Sequence, residues 1–132
     1  MPNVISLEDF TSLAGRELEP SDWMEITQDR VNQFADATSD HQFIHVDDAL
    51  ASATPFGGTI AHGFLSLSLI THLTSETMPV PEGTVMTINY GSDKVRYIAP
   101  VRVGRRVRAS QTVLDVAEKS PGRWLVKTAV TI

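Results

Sequence analysis

A carboxylate and two imidazoles crowd one short stretch, Ser39-Asp40-His41-Gln42-Phe43-Ile44-His45. The segment Pro55-Phe56-Gly57-Gly58 follows, and then Thr59-Ile60-Ala61-His62-Gly63 opens the most apolar part of the chain. Asp40 and His45, converging on one small molecule, can hold a water, take its proton and return one. The start of an apolar helix supplies free amide N–H groups and the positive end of the helix dipole, both suited to a developing oxyanion. Gly63 at that start lets a carbonyl approach the backbone closely. Adding water across a carbonyl-conjugated double bond needs this set: a held water, a proton for the α-carbon and an enolate stabiliser. The same residues have plainer uses. Asp40 can cap a turn, and His45 can be a hydrogen-bonded structural histidine. His41 and His45 stand four apart, but no third ligand is evident and the loop composition argues against a helix there, so no metal is expected. His62 reads as structural, and His72 suits a helix C-terminus. There is no GxSxG, no P-loop and no dinucleotide glycine fingerprint.

The elements that must position these groups are legible from caps and periods. Ser6, with Asp9 three residues on, opens a short helix with Leu7, Phe10, Leu13 and Ala14 as its apolar stripe, ended by Gly15. Residues 23–27 alternate and read as a short strand. Thr27 is an N-cap for a helix carrying Val31, Phe34, Ala35 and Thr38. The stretch from 39 to 48 reads as a loop, with Asp47 capping a short helix over 49–53. Residues 59–74 predict a helix apolar on all faces, and therefore buried. Beyond Pro79-Val80-Pro81-Glu82-Gly83 the period becomes two. Strands are expected at 84–90, 94–98 and 101–116, then a turn at Ser120-Pro121-Gly122 and a final alternating strand. This order is α+β, an antiparallel sheet built to wrap one apolar helix.

The 132 residues fit one domain, spanning 1–132, with a core large enough to need no staple. There is no cysteine, which removes disulfides, thiol nucleophiles and thiolate–metal sites. The N-terminus lacks the pattern of a secretory signal, and no apolar run is long enough to span a bilayer, so a cytoplasmic protein is expected. The net charge of −5 is uneven. Residues 94–132 hold nine of the eleven basic residues against two acids, Asp115 and Glu118. Such a basic third suits either an anionic ligand or a solvated sheet face. An acidic chain with no nucleic-acid-binding motif is not expected to bind nucleic acid.

The stretch from Phe34 to Leu69 resembles the MaoC-like (R)-specific enoyl-CoA hydratases, especially the branch similar to nodulation protein N. Ser39, Asp40, Ile44 and His45, then Ile60, His62 and Gly63, carry the resemblance. Gln42 and Phe43 stand where most members have Asn-Pro, although the nodulation-protein-like branch commonly has Gln and an aromatic. The resemblance implies a hot-dog fold, a curved antiparallel sheet around the helix, and a homodimer. It implies that Asp40 and His45 activate water to give an (R)-3-hydroxyacyl-CoA, with no cofactor beyond the CoA thioester substrate. It implies that the Gly63 amide holds the thioester oxygen, that Phe43 lines the acyl pocket and that Lys94 and Arg96 meet CoA phosphates. It also implies a further strand after Ile132, where the alternation breaks off. A thioesterase on the same fold is an alternative, but its usual acid on the central helix is missing before Glu76. A non-catalytic acyl-thioester binder is another alternative.

Overall fold

The computed structural model describes residues 3–132. Eleven elements follow in order among these residues: β1 (Val4–Ile5), α1 (Leu7–Thr11), β2 (Met24–Glu25), α2 (Gln28–Thr38), α3 (Phe43–Val46), α4 (Asp48–Ser52), α5 (Gly63–Ser75), β3 (Val80–Pro81), β4 (Arg106–Val107), β5 (Ser110–Ser120) and β6 (Arg123–Thr131). They fall into two compact units. One comprises the described residues up to Asp22, with Ile70–Gly91 and Arg108–Ile132; the other comprises Trp23–Leu69 and Ser92–Val107.

The first unit is organised by the β5–β6 hairpin. Its register runs from Ser110 opposite Thr131 to Ser120 opposite Arg123, closing over the expected Pro121-Gly122 turn. Two register shifts, between Val113 and Asp115 and between Glu118 and Ser120, interrupt the ladder. β1 and β3 pair in parallel beside it. Ser6 caps α1 as expected, its hydroxyl accepting from the Asp9 amide at 3.1 Å. Phe10 and Leu13 from this end of the chain bury against Val113 of β5, with Ile5, Leu18, Met78, Val116 and Val126 packed around them. Leu7, expected on the same stripe, is exposed.

The second unit carries the polar constellation. Thr27 caps α2 through the Arg30 amide at 3.1 Å, and Val31 and Ala35 turn its buried face inward. Asp47 caps α4 through the Leu50 amide at 3.0 Å. The expected strand at 23–27 shortens to β2, which pairs antiparallel with β4. The stretch expected as a loop contains a helical turn, α3.

Two larger expectations are corrected. The long strand over 101–116 is broken, because the chain turns at 102–105, where the Arg105 amide bonds the Arg102 carbonyl at 3.1 Å and Gly104 takes φ 89°. Residues 84–90 and 94–98 run outside any strand, and Val85, Met86, Ile88, Tyr90 and Ile98 are all more than two-thirds exposed. Alternation makes a segment fit for a sheet, but a strand exists only where a second edge takes its N–H and C=O groups. Among the described residues none pairs with this one.

Helix α5 begins four residues later than the pattern suggested. It is also not buried on every face: Leu65, Leu69 and Leu73, four apart, are buried, while Phe64, Ser68, Thr71 and His72 are exposed. No helix among the described residues is long and apolar enough to cross a membrane.

Candidate active site

The delayed start of α5 follows from commitments made by the residues before it. The Ile60 amide donates to the Ile44 carbonyl at 2.9 Å, and the Ala61 amide to the Val101 carbonyl at 2.8 Å. The Val103 amide donates to the Thr59 carbonyl at 3.0 Å, and Ile60 bridges Arg102 as an antiparallel pair. Residues 59–62 are thus held extended and buried, and helix geometry begins only at Gly63.

This extended segment delivers its Ile60 carbonyl to His45. The His45 ring is 7% exposed, and its Nδ1 lies 2.7 Å from that carbonyl oxygen. A carbonyl can only accept, so Nδ1 carries a hydrogen, and in the neutral ring Nε2 holds the lone pair. The backbone of His45 is held as well. Gln28, the first residue of α2, donates from Nε2 to the His45 carbonyl at 2.8 Å and accepts through Oε1 from the Thr59 hydroxyl at 2.6 Å.

Asp40 is placed by the end of α2. Ser39 caps that helix in the left-handed region, φ 61°, the one non-glycine residue among those described to do so. For an L residue with a β-carbon this costs roughly 1–2 kcal/mol. The turn presents Asp40 with its amide on the Ala35 carbonyl at 3.1 Å and its carboxylate half-exposed. The Gln42 amide lies 3.4 Å from its Oδ1.

His62 completes the cluster. Its ring is 2% exposed, stacks on the His45 ring with centroids 3.8 Å apart and tilts against Phe34 at 4.9 Å. Its Nε2 is 3.0 Å from the Asp40 carbonyl oxygen and 4.0 Å from Asp40 Oδ2. Its Nδ1 is buried with no hydrogen-bond partner, a situation that costs about 1–3 kcal/mol. One nitrogen from each imidazole and one Asp40 oxygen lie within 4.8 Å of one another. A carboxylate and two histidines are a metal-type donor set. The stacked rings, however, are only 24° from parallel, so their in-plane lone pairs run side by side rather than converging on an ion. A space of this size between a carboxylate oxygen and an imidazole nitrogen suits a bridging water instead.

Gly63 also has a reason to be glycine. A Cβ there would stand 2.9 Å from the Tyr97 ring, which lies against the helix start and meets Phe64 edge-on at 6.1 Å. Tyr97, not a ligand carbonyl, occupies the space that the missing side chain leaves.

The remaining candidates are spread out. Phe43 opens α3, 42% exposed. Lys94 and Arg96 are exposed on the segment that leads to Tyr97, and Arg96 turns its Nη1 onto the adjacent Val95 carbonyl at 2.8 Å. His41 pairs with Asp36 at 2.8 Å. Arg102, one of the basic cluster, ties the 55–58 loop by donating to the Phe56 carbonyl at 2.7 Å. Gln28, the Ile60 carbonyl and Tyr97 gave no signal in the sequence. His62 did, through its place beside Gly63, but its stacking on His45 is a tertiary fact.

The family model described as MaoC like domain matches residues 9–131. The chain belongs to the MaoC-like family. It is 46% identical over 127 residues to 3-hydroxyacyl-thioester dehydratase Z of Mycobacterium tuberculosis, covering 96% of this chain and 83% of that protein. It is 53% identical over 112 residues to Nodulation protein N of Rhizobium meliloti, covering 84% and 70%. Among solved structures it is similar to an (R)-hydratase from A. caviae involved in PHA biosynthesis, with TM-score 0.66 and 26% identity over 89% of this chain and 83% of that one. The fold of this MaoC-like chain is therefore the expected α+β hot-dog class, and its relatives bear dehydratase and hydratase names.

The Gly63–Tyr97 contact makes a direct prediction. Gly63→Ala is expected to lower stability by about 1–3 kcal/mol through overpacking, and Tyr97→Ala in the same chain to abolish that cost. Urea titrations of the two single variants and the double variant check this; strictly additive costs would contradict the contact.

Proposed function

We propose that this MaoC-like chain adds water reversibly to a 2-enoyl-CoA, giving an (R)-3-hydroxyacyl-CoA, with Asp40 and His45 as the catalytic residues. The observation that carries the reading is the His45 hydrogen bond to the Ile60 carbonyl. It leaves Nε2 as a free base in a cluster that includes the Asp40 carboxylate. In this scheme Asp40 and His45 hold one water. The pair takes a proton from it as the hydroxyl oxygen bonds C3 and the double-bond electrons move onto the thioester oxygen. The same pair returns a proton to C2 as the enolate collapses, so one water is consumed and the protein ends unchanged. The two groups act as one coupled unit.

The Gly63 amide, in the first turn of α5 where N–H groups lack intrahelical partners, is the proposed donor to the thioester oxygen. Tyr97 lies over Gly63, so binding requires its ring to yield. Phe43, two residues before His45, is the proposed acyl contact. Lys94 and Arg96 are the proposed contacts for CoA phosphates, supported by their exposure and by the link from their segment to Gly63 through Tyr97. The chemistry calls on no cofactor. The names of the relatives, one a dehydratase of 3-hydroxyacyl thioesters and one an (R)-hydratase, agree with the reaction and its stereochemistry. A CoA-thioester substrate supports the proposal of a cytoplasmic location.

With crotonyl-CoA, loss of enoyl-thioester absorbance is expected for the wild type, with (R)-3-hydroxybutyryl-CoA as product. Asp40→Asn and His45→Gln are each expected to lose at least about 10²-fold in rate. A folded wild type that left the absorbance unchanged across several chain lengths would sink the proposal.

We also propose that the chain acts as a homodimer, supported by the exposed apolar residues Val85, Met86, Ile88 and Tyr90 on a segment outside any strand. Sedimentation equilibrium is expected to give twice 14.5 kDa; a monomer at micromolar concentration would remove this part.

A further inference from the structure

His62 is the buried titratable group that the hydration scheme does not use. It touches both members of the pair: its ring stacks on His45 at 3.8 Å, and its Nε2 reaches the Asp40 carbonyl at 3.0 Å. Since a carbonyl only accepts, the hydrogen sits on Nε2, and the buried Nδ1 is left as a lone pair without a partner.

This is an odd choice for a residue whose work is only to fill space. A phenyl ring would fill the site between Phe34 and His45 without an orphaned nitrogen. What imidazole adds is a flat face for His45 and, on its edge, a donor aimed at the main chain of Asp40. The Asp40 amide is held by the Ala35 carbonyl at 3.1 Å, and the His62 donor holds the carbonyl on its other side. The Asp40 carboxylate is half-exposed, and the residue follows Ser39, which is held in a left-handed conformation. Within the loop its carboxylate is met by the Gln42 amide at a long 3.4 Å.

We infer that His62 is a positioning residue for the Asp40–His45 pair, setting the Asp40 main chain with its Nε2–H and the His45 ring plane with its face. The inference rests on the hydratase reading for its effect on turnover, but not for its effect on structure. His62 neither accepts nor delivers the proton that moves in hydration. It fixes where the two groups that do so stand, and misplacement by about 1 Å is enough to cost on the order of 10²-fold in rate.

The test compares His62→Phe, which keeps an aromatic face and loses the donor, with His62→Gln, which keeps a donor and loses the ring. His62→Phe is expected to melt at or above the wild-type temperature, because the orphaned nitrogen is gone, while kcat with crotonyl-CoA falls about 10- to 100-fold and KM stays within about threefold. Native-state amide exchange at Asp40 and Gln42 is expected to rise about tenfold in His62→Phe and to stay near wild type in His62→Gln. In an Asp40→Asn background, His62→Phe is expected to cost little further rate, since its effect passes through Asp40.

Unchanged kcat and unchanged exchange in His62→Phe would overturn the inference. So would a rate loss that tracks a lowered melting temperature, or one that remains undiminished in the Asp40→Asn background. If His62→Phe does not fold, that failure itself contradicts the expectation of equal or higher stability, and wild-type exchange in His62→Gln no longer supports the donor role. If the wild type shows no hydration at all, the hydratase reading fails, and amide exchange alone decides whether His62 anchors Asp40.

Discussion

The hydrogen bond from His45 Nδ1 to the Ile60 carbonyl is the contact on which the rest of the site depends. It sets the tautomer of the imidazole and hence the nitrogen left to act as a base in the cluster with Asp40. It also requires residues 59–62 to stay extended, since an Ile60 carbonyl inside a helix would be taken by the amide four residues on. The Ile44, Val101 and Val103 backbone contacts meet that requirement, and helix α5 consequently starts at Gly63. One carbonyl thus links the protonation pattern of a side chain to the place where a helix dipole begins.

Around this contact the chain accepts several local costs. Ser39 stands at positive φ, His62 buries a nitrogen without a partner, and Gly63 gives up helix propensity, worth about 1 kcal/mol against alanine, to make room for Tyr97. All three border Asp40 and His45 rather than the hairpin core around Phe10, Leu13 and Val113. Local costs beside a polar cluster are how a fold presents reactive groups that it would not choose for stability.

Local chemistry was legible in the sequence, and tertiary commitments were not. Ser6, Thr27 and Asp47 cap their helices as their types predict, because capping involves only atoms three residues apart. The hairpin of β5 and β6 follows from clean alternation about a Pro-Gly turn. Asp40, His45, His62 and Gly63 stood out by type and spacing, and the structure brings the first three within one cluster. The start of α5 was misread because Thr59-Ile60-Ala61-His62 is compatible with a helix and only its distant backbone partners forbid one. The strands expected at 84–90 and 94–98 failed for the converse reason: a period of two describes one edge, and a ladder needs two. Gln28 and Tyr97 were invisible because nothing in their neighbours marks a residue that reaches its target across many positions in the chain.

The most direct measurement is the tautomer of His45, read from long-range ¹H–¹⁵N correlations of the imidazole nitrogens in the labelled protein under turnover conditions, with His45→Gln used to assign the signals. A protonated Nδ1 and a bare Nε2 are expected. A bare Nδ1 with the hydrogen on Nε2 would mean that the Ile60 carbonyl does not hold the ring, and the proposed base would be gone.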